Sequence, residues 1–166
     1  LDLSLTNTGI AVYKDGHIET FSIASPLRGT HRLRDLRDRM RRVLDCNVCW
    51  TGKVIGGVEG YSFGSTSRHH ALGEWGGVAK LELLERGVVS YIGTPTTVKK
   101  FITCKGNTPK KEVRLHLRQR YGISVEQEDE ADAACVSILI GAFLHGDAFS
   151  LTSPQKDALA AVELMV

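Results

Sequence analysis

Residues 133–144 read Ala-Ala-Cys-Val-Ser-Ile-Leu-Ile-Gly-Ala-Phe-Leu, apolar on nearly every side. A helix of that composition has no face to offer water and belongs inside its domain. The seven residues before it carry five carboxylates: Glu126, Glu128, Asp129, Glu130 and Asp132. Acidic side chains suit a helix N-terminus, where the macrodipole favours each by up to roughly 1 kcal/mol. Asp129 and Asp132, three apart, share one face of the first turn. Crowding works the other way, because two unit charges ~4 Å apart repel by about 4 kcal/mol at an effective dielectric near 20. A bound cation removes that penalty. An over-capped helix start is the other reading, and this stretch alone does not choose between them.

At 166 residues the chain is expected to be one domain, spanning 1–166, with room for a proper core. Its 42% hydrophobic and 24% charged residues are those of an ordinary globular protein, and no apolar run is long enough for a membrane span. A net charge of +2 argues for nothing by itself; its distribution matters more. The chain opens abruptly in an apolar segment without an initiator Met, so an internal start with part of the first strand missing is expected. Cys135 falls in the apolar helix as a small core residue. Cys46 and Cys49 have half-zinc or redox spacing, but no second Cys or His pair completes a site. The thiols read as reduced, in a cytoplasmic (intracellular) protein.

Residues 1–5 read as the end of a strand, followed by the turn Thr6-Asn7-Thr8-Gly9. Residues 10–14 and 17–23 alternate around Asp15-Gly16, a strong hairpin signal, so three antiparallel strands are expected first. A helix over 30–44 buries Leu33, Leu36, Met40, Val43 and Leu44. Its other face carries six arginines against Asp35 and Asp38, a bias that suits nucleic acid as well as solvent. Residues 53–59 read as a buried strand ending on Glu59, paired parallel through a helical crossover. The helix over 69–86 contains Gly73, Gly76 and Gly77, each about 1 kcal/mol worse than Ala. Close packing against another backbone, within the domain or across a dimer, would explain them. Residues 88–92 form the fifth strand, 93–100 turn into a short helix, and Thr108-Pro109 opens another to about 121. A terminal helix over 150–166 follows the acidic one. One mixed five-stranded sheet with helices on both faces satisfies this order.

If the strands ending at Asp2 and Glu59 are parallel neighbours, both acids emerge at one sheet edge. The acidic helix can then add Asp129 and Asp132. An all-oxygen cluster selects hard divalent cations such as Mg2+ or Mn2+. Two such ions ~4 Å apart can clamp the oxygens of an in-line phosphoryl displacement. Acids repel a phosphate backbone, so lysines are needed nearby; Lys99, Lys100, Lys105, Lys110 and Lys111 are the obvious suppliers.

These residues carry a resemblance. Asp2-Leu3-Ser4-Leu5-Thr6-Asn7-Thr8-Gly9, Val58-Glu59 and Asp129-Glu130-Ala131-Asp132-Ala133 resemble, in order, the acidic motifs of the RuvC family of Holliday-junction resolvases, within the RNase H-like superfamily. The resemblance covers residues 1–144. It implies an α/β, RNase H-like fold and a homodimer that nicks a four-way DNA junction symmetrically. It further implies a Mg2+-dependent endodeoxyribonuclease with two ions per active site, Asp2 bridging them, Glu59 on one and Asp132 on the other. Asp129 would complete a metal shell or orient water. Lys99 and Lys110 fall at the family's basic DNA contacts, with Lys100, Lys105 and Lys111 beside them, and Tyr61 or Phe63 takes the place of its junction wedge. The departures are Leu3 after the first acid and the extra acid Glu130; neither removes a ligand.

Three other readings share parts of this pattern. A related nuclease acting on RNA or an RNA–DNA hybrid would use the same acids. The sugar-kinase and actin superfamily has a similar first motif, but needs two such domains around a nucleotide. A non-catalytic junction binder would have no need of all four acids.

Overall fold

The computed structural model describes residues 1–14, 16–60, 69–146 and 150–165. Asp15, Tyr61 and Phe63 lie outside the described residues. Strands β1 (Thr8–Lys14) and β2 (His17–Ile23) form the expected antiparallel hairpin, with Lys14 opposite His17. Gly16, at φ +85°, supplies the left-handed turn position that glycine adopts without a Cβ clash. Helix α1 (Gly29–Asn47) follows and buries Leu36, Met40 and Leu44, four apart on one stripe. Strand β3 (Ile55–Glu59) then pairs in parallel with β4 (Val89–Gly93), the connection being helix α2 (His69–Glu85).

Helices α3 (Pro95–Thr103), α4 (Lys110–Tyr121), α5 (Glu128–Leu144) and α6 (Ser153–Ala160) complete the helical set among the described residues. No helix among them is long and apolar enough to cross a membrane. The terminal segment departs from expectation. A capping box between Thr152 and Gln155 starts α6, but the helix stops at Ala160, and β5 (Glu163–Met165) pairs antiparallel with β4. Leu164, expected on a helix, lies opposite Tyr91 in that ladder.

The sheet is also divided. Instead of one five-stranded sheet there are two, β1-β2 and β3-β4-β5. Residues 1–5 do not form a strand; only Leu1 and Asp2 pair. The Leu1 backbone nitrogen donates to the Gly57 carbonyl at 2.6 Å, and its carbonyl accepts from Glu59 N–H at 2.8 Å. Asp2 and Gly9 exchange both backbone bonds at 2.9 and 3.0 Å. After Asp2 the chain buries Leu3 and turns back, Thr8 Oγ1 donating to the Ser4 carbonyl at 2.8 Å. Two paired residues stitch the sheets together but are too few to merge them.

The apolar helix α5 is enclosed as its composition requires. One side lies on β1, β2 and β3, and the other is covered by α3, α4 and α6. It sits close because glycines face it. A Cβ at Gly57 would come within 2.6 Å of Ile140 Cγ1, and one at Gly9 would overlap the Asp129 carbonyl. A second core lies beyond the sheets, where Leu36, Met40, Trp75 and Leu83 pack with Ile10 and Val58. Buried Glu82 of α2 accepts from Arg41 of α1 and from Arg86, each at 2.7 Å. Part of the arginine-rich face of α1 thus joins helices instead of facing a ligand.

Gly9→Ala should cost about 1–3 kcal/mol, the usual price of overfilling a packed contact. Gly141→Ala, on α5 where an added Cβ meets nothing among the described residues, should cost nothing and gain up to about 1 kcal/mol in helix propensity. Urea unfolding midpoints of both variants check the contrast.

Candidate active site

The stitch at Leu1 and Asp2 brings the first two acids together. Glu59 donates its N–H to the Leu1 carbonyl, so Asp2 emerges beside it. Along β3, Gly57 and Glu59 point to the α5 side while Val58 points to the opposite core. The first turn of α5, seated over Gly9, then brings Asp129 and Asp132 to the same place. Their charges reach across the segments: Asp132 acts on both Asp2 and Glu59, and Asp129 acts on Asp2. The convergence expected from three separated segments is therefore present.

Its electrostatics are those of carboxylates held away from water. Burial raises the Asp2 carboxyl above its ordinary range, and the charges of Asp132 and Asp129 add to the effect. The same causes push Glu59 up to about 9: burial first, then the Asp2 charge and the hydrogen bond the two carboxyls share. Glu59 is the protonated donor of that bond and Asp2 the acceptor. Asp129 is raised by burial, against the pull of Lys110 and a hydrogen bond from the Asn7 side chain. Cys135, one turn deeper on α5, is held as a thiol by burial and by Asp132 and Glu59.

Lys110, at the start of α4, reaches these acids. Its Nζ lies 2.9 Å from Asp132 Oδ2 and 3.4 Å from Glu128 Oε2. Partial burial opposes its charge, but the Asp132 and Glu128 carboxylates outweigh it and keep the ammonium protonated above the usual lysine range. Among the described residues, no three carboxylates, imidazoles or thiols are arranged as a ready-made metal cage. Asp2 and Glu59 bond to each other, and Asp132 is engaged by a lysine. The donors themselves fit a hard divalent cation, being all oxygen and mutually repelling.

Of the remaining lysines, Lys100 is paired with Asp157 of α6 at 3.1 Å. Lys99 lies half-buried on α3, while Lys105 and Lys111 are exposed. Only Lys110 reaches the acids. Three partners were missed in the sequence. Asn7 holds Asp129 from a stretch read only as a turn. Thr20 of β2 donates to Glu130 Oε2 at 2.8 Å, so the extra acid ties α5 to the hairpin. Glu128 shares Lys110. No local pattern announces any of these, because each pair is distant in sequence.

The fold is that of RuvC. A Thermus thermophilus RuvC structure matches with a TM-score of 0.68 at 19% identity, over 99% of this chain and 96% of that one. T. thermophilus RuvC in complex with Holliday junction substrate matches at 0.70 with 18% identity and the same coverage. No protein-family model and no curated protein sequence matches the chain.

The raised Glu59 pKa has a sign that can be measured. Between about 4.5 and about 9 the metal-free folded protein keeps a proton that the unfolded chain has released. Stability should therefore fall as pH rises through that window, by at most about 1.4 kcal/mol per pH unit for one proton. Glu59→Gln, which has no such proton to lose, should flatten the slope. Urea midpoints from pH 5 to pH 9 in a chelator decide it; equal slopes for the two proteins would contradict the assignment.

Proposed function

We propose that this chain is a RuvC-type Holliday-junction resolvase, an endodeoxyribonuclease that hydrolyses phosphodiesters in paired, symmetric nicks at a four-way junction. The observation that carries this reading is the meeting of Asp2, Glu59, Asp129 and Asp132 at one point of a fold shared with RuvC. The resemblance of a structure solved with a Holliday junction supports the choice of substrate.

Asp2, Glu59, Asp129 and Asp132 are the residues that would hold two Mg2+ or Mn2+ ions. Bound there, divalent cations supply the Lewis acidity that activates water and stabilises the leaving oxygen. The protein's own part is to hold the carboxylates away from competing water. The Leu1 backbone pairing sets Asp2 against Glu59, and Asn7 orients Asp129. Lys99, Lys105 and Lys111 contribute charge for the phosphate backbone, which makes binding salt-dependent. The protein acts inside the cell, where its thiols stay reduced.

Symmetric nicking needs two active sites related by a two-fold axis, hence a homodimer. The exposed stripe of α2 is the face we assign to it. Gly73, Gly77, Leu81 and Leu84 follow one another at helical spacing, and Leu81 and Leu84 are 54% and 65% exposed. An added Cβ at either glycine would touch nothing among the described residues.

Asp132→Asn should retain junction binding and lose cleavage. The informative assay compares a synthetic four-way junction with duplex DNA and an RNA–DNA hybrid in Mg2+. Equal cutting of all three by the unmutated protein would sink the resolvase reading and favour a general nuclease. Leu81→Glu with Leu84→Glu should convert a dimer to a monomer in sedimentation while leaving the fold intact by circular dichroism. A dimer that survives both changes would remove α2 from the interface.

A further inference from the structure

Each of the four acids is engaged from within the protein. Glu59 and Asp2 share a hydrogen bond, Asn7 donates to Asp129, and Asp132 receives the Lys110 ammonium at 2.9 Å. The last contact is built, not incidental. Asp132 is only 14% exposed, and Glu128, one turn earlier on the same face of α5, holds the same ammonium at 3.4 Å. The two helix starts that carry these groups are also fixed together. Val113 and Leu117 anchor α4 in the core beside α5, and Arg114 Nη1 donates to the Glu126 carbonyl at 2.8 Å. The lysine therefore leaves from a fixed point within reach of Asp132.

We propose that Lys110 is an internal counter-cation that competes with the divalent metal for Asp132 and so sets the metal affinity of the free protein. This rests on Asp132 being a metal ligand, as in the function proposed above. A divalent ion entering the site must take Asp132 from the ammonium. Glu128 gives the displaced ammonium a second carboxylate at the rim of the site, where a phosphate of the substrate can meet it. Lys110 thereby has a role distinct from that of the other lysines: it weakens metal binding, whereas they only strengthen DNA binding.

The test is a titration with Mn2+ alone, without DNA, following free Mn2+ by electron paramagnetic resonance. Lys110→Met should bind Mn2+ about tenfold more tightly than the unmutated protein, a coupling of ordinary size. Lys110→Arg, which keeps the charge, should not. Lys99→Met controls for the general loss of a positive charge and should change affinity by no more than about twofold, given screening at physiological salt. The larger Mn2+ affinity of Lys110→Met should also appear as a larger metal-induced rise in melting temperature. Unchanged or weaker binding by Lys110→Met, or an equal gain in Lys99→Met, overturns the proposal. Asp132→Asn separates the two levels of inference. If it binds Mn2+ as the unmutated protein does, the metal site itself is wrongly assigned. If it loses Mn2+ while Lys110→Met gains nothing, only the competition fails.

Discussion

The closeness of α5 to Gly9 is the constraint on which the rest of the site depends. A side chain at position 9 would occupy the space of the Asp129 carbonyl, so the first helical turn could not rest on β1. Without that seat, Asp129 and Asp132 would stand away from Asp2 and Glu59. The same helix lies across both sheets, touching β1 and β2 on one side of the seam and β3 on the other. It therefore carries two acids of the site and also straps together sheets joined otherwise through Leu1 and Asp2.

Much of this was readable from residue order. The apolar run after Ala133 demanded enclosure, and α5 is enclosed. Asp15-Gly16 between alternating strands indicated the hairpin, and the acid-ended β3 indicated where Glu59 would emerge. The failures have physical causes. Residues 1–5 look like a strand because leucines alternate with polar residues, but only Leu1 and Asp2 pair before Thr8 turns the chain back through the Ser4 carbonyl. Leu164 resembles a helical residue by spacing, yet the last turn of α6 closes at Ala161 and Val162, and Tyr91 offers an unpaired strand edge instead.

The acids converged as their positions suggested, but their partners were not visible in the sequence. Glu128 and Glu130 looked like surplus charge on a helix start. Each has a specific partner, Lys110 and Thr20, reached only through tertiary folding. The basic stretch is less uniform than its composition, since Lys100 is turned to Asp157 and Lys110 to the acids. A run of lysines states how much positive charge is present. It does not state which carboxylate each one answers.

Trp75 ties this chemistry to something that can be seen optically. Its indole is fully buried and donates at 2.9 Å to Thr8 Oγ1, the hydroxyl that closes the turn carrying Asn7. Trp50, the other indole, is 37% exposed, with the Arg86 guanidinium 4.9 Å above its ring. One chromophore thus sits in a dry, hydrogen-bonded setting behind the turn that Thr8 closes, and the other at a wet surface against a cation. The intrinsic fluorescence of the unlabelled protein should therefore contain two spectrally distinct populations, the blue one reporting on the turn behind Asp2.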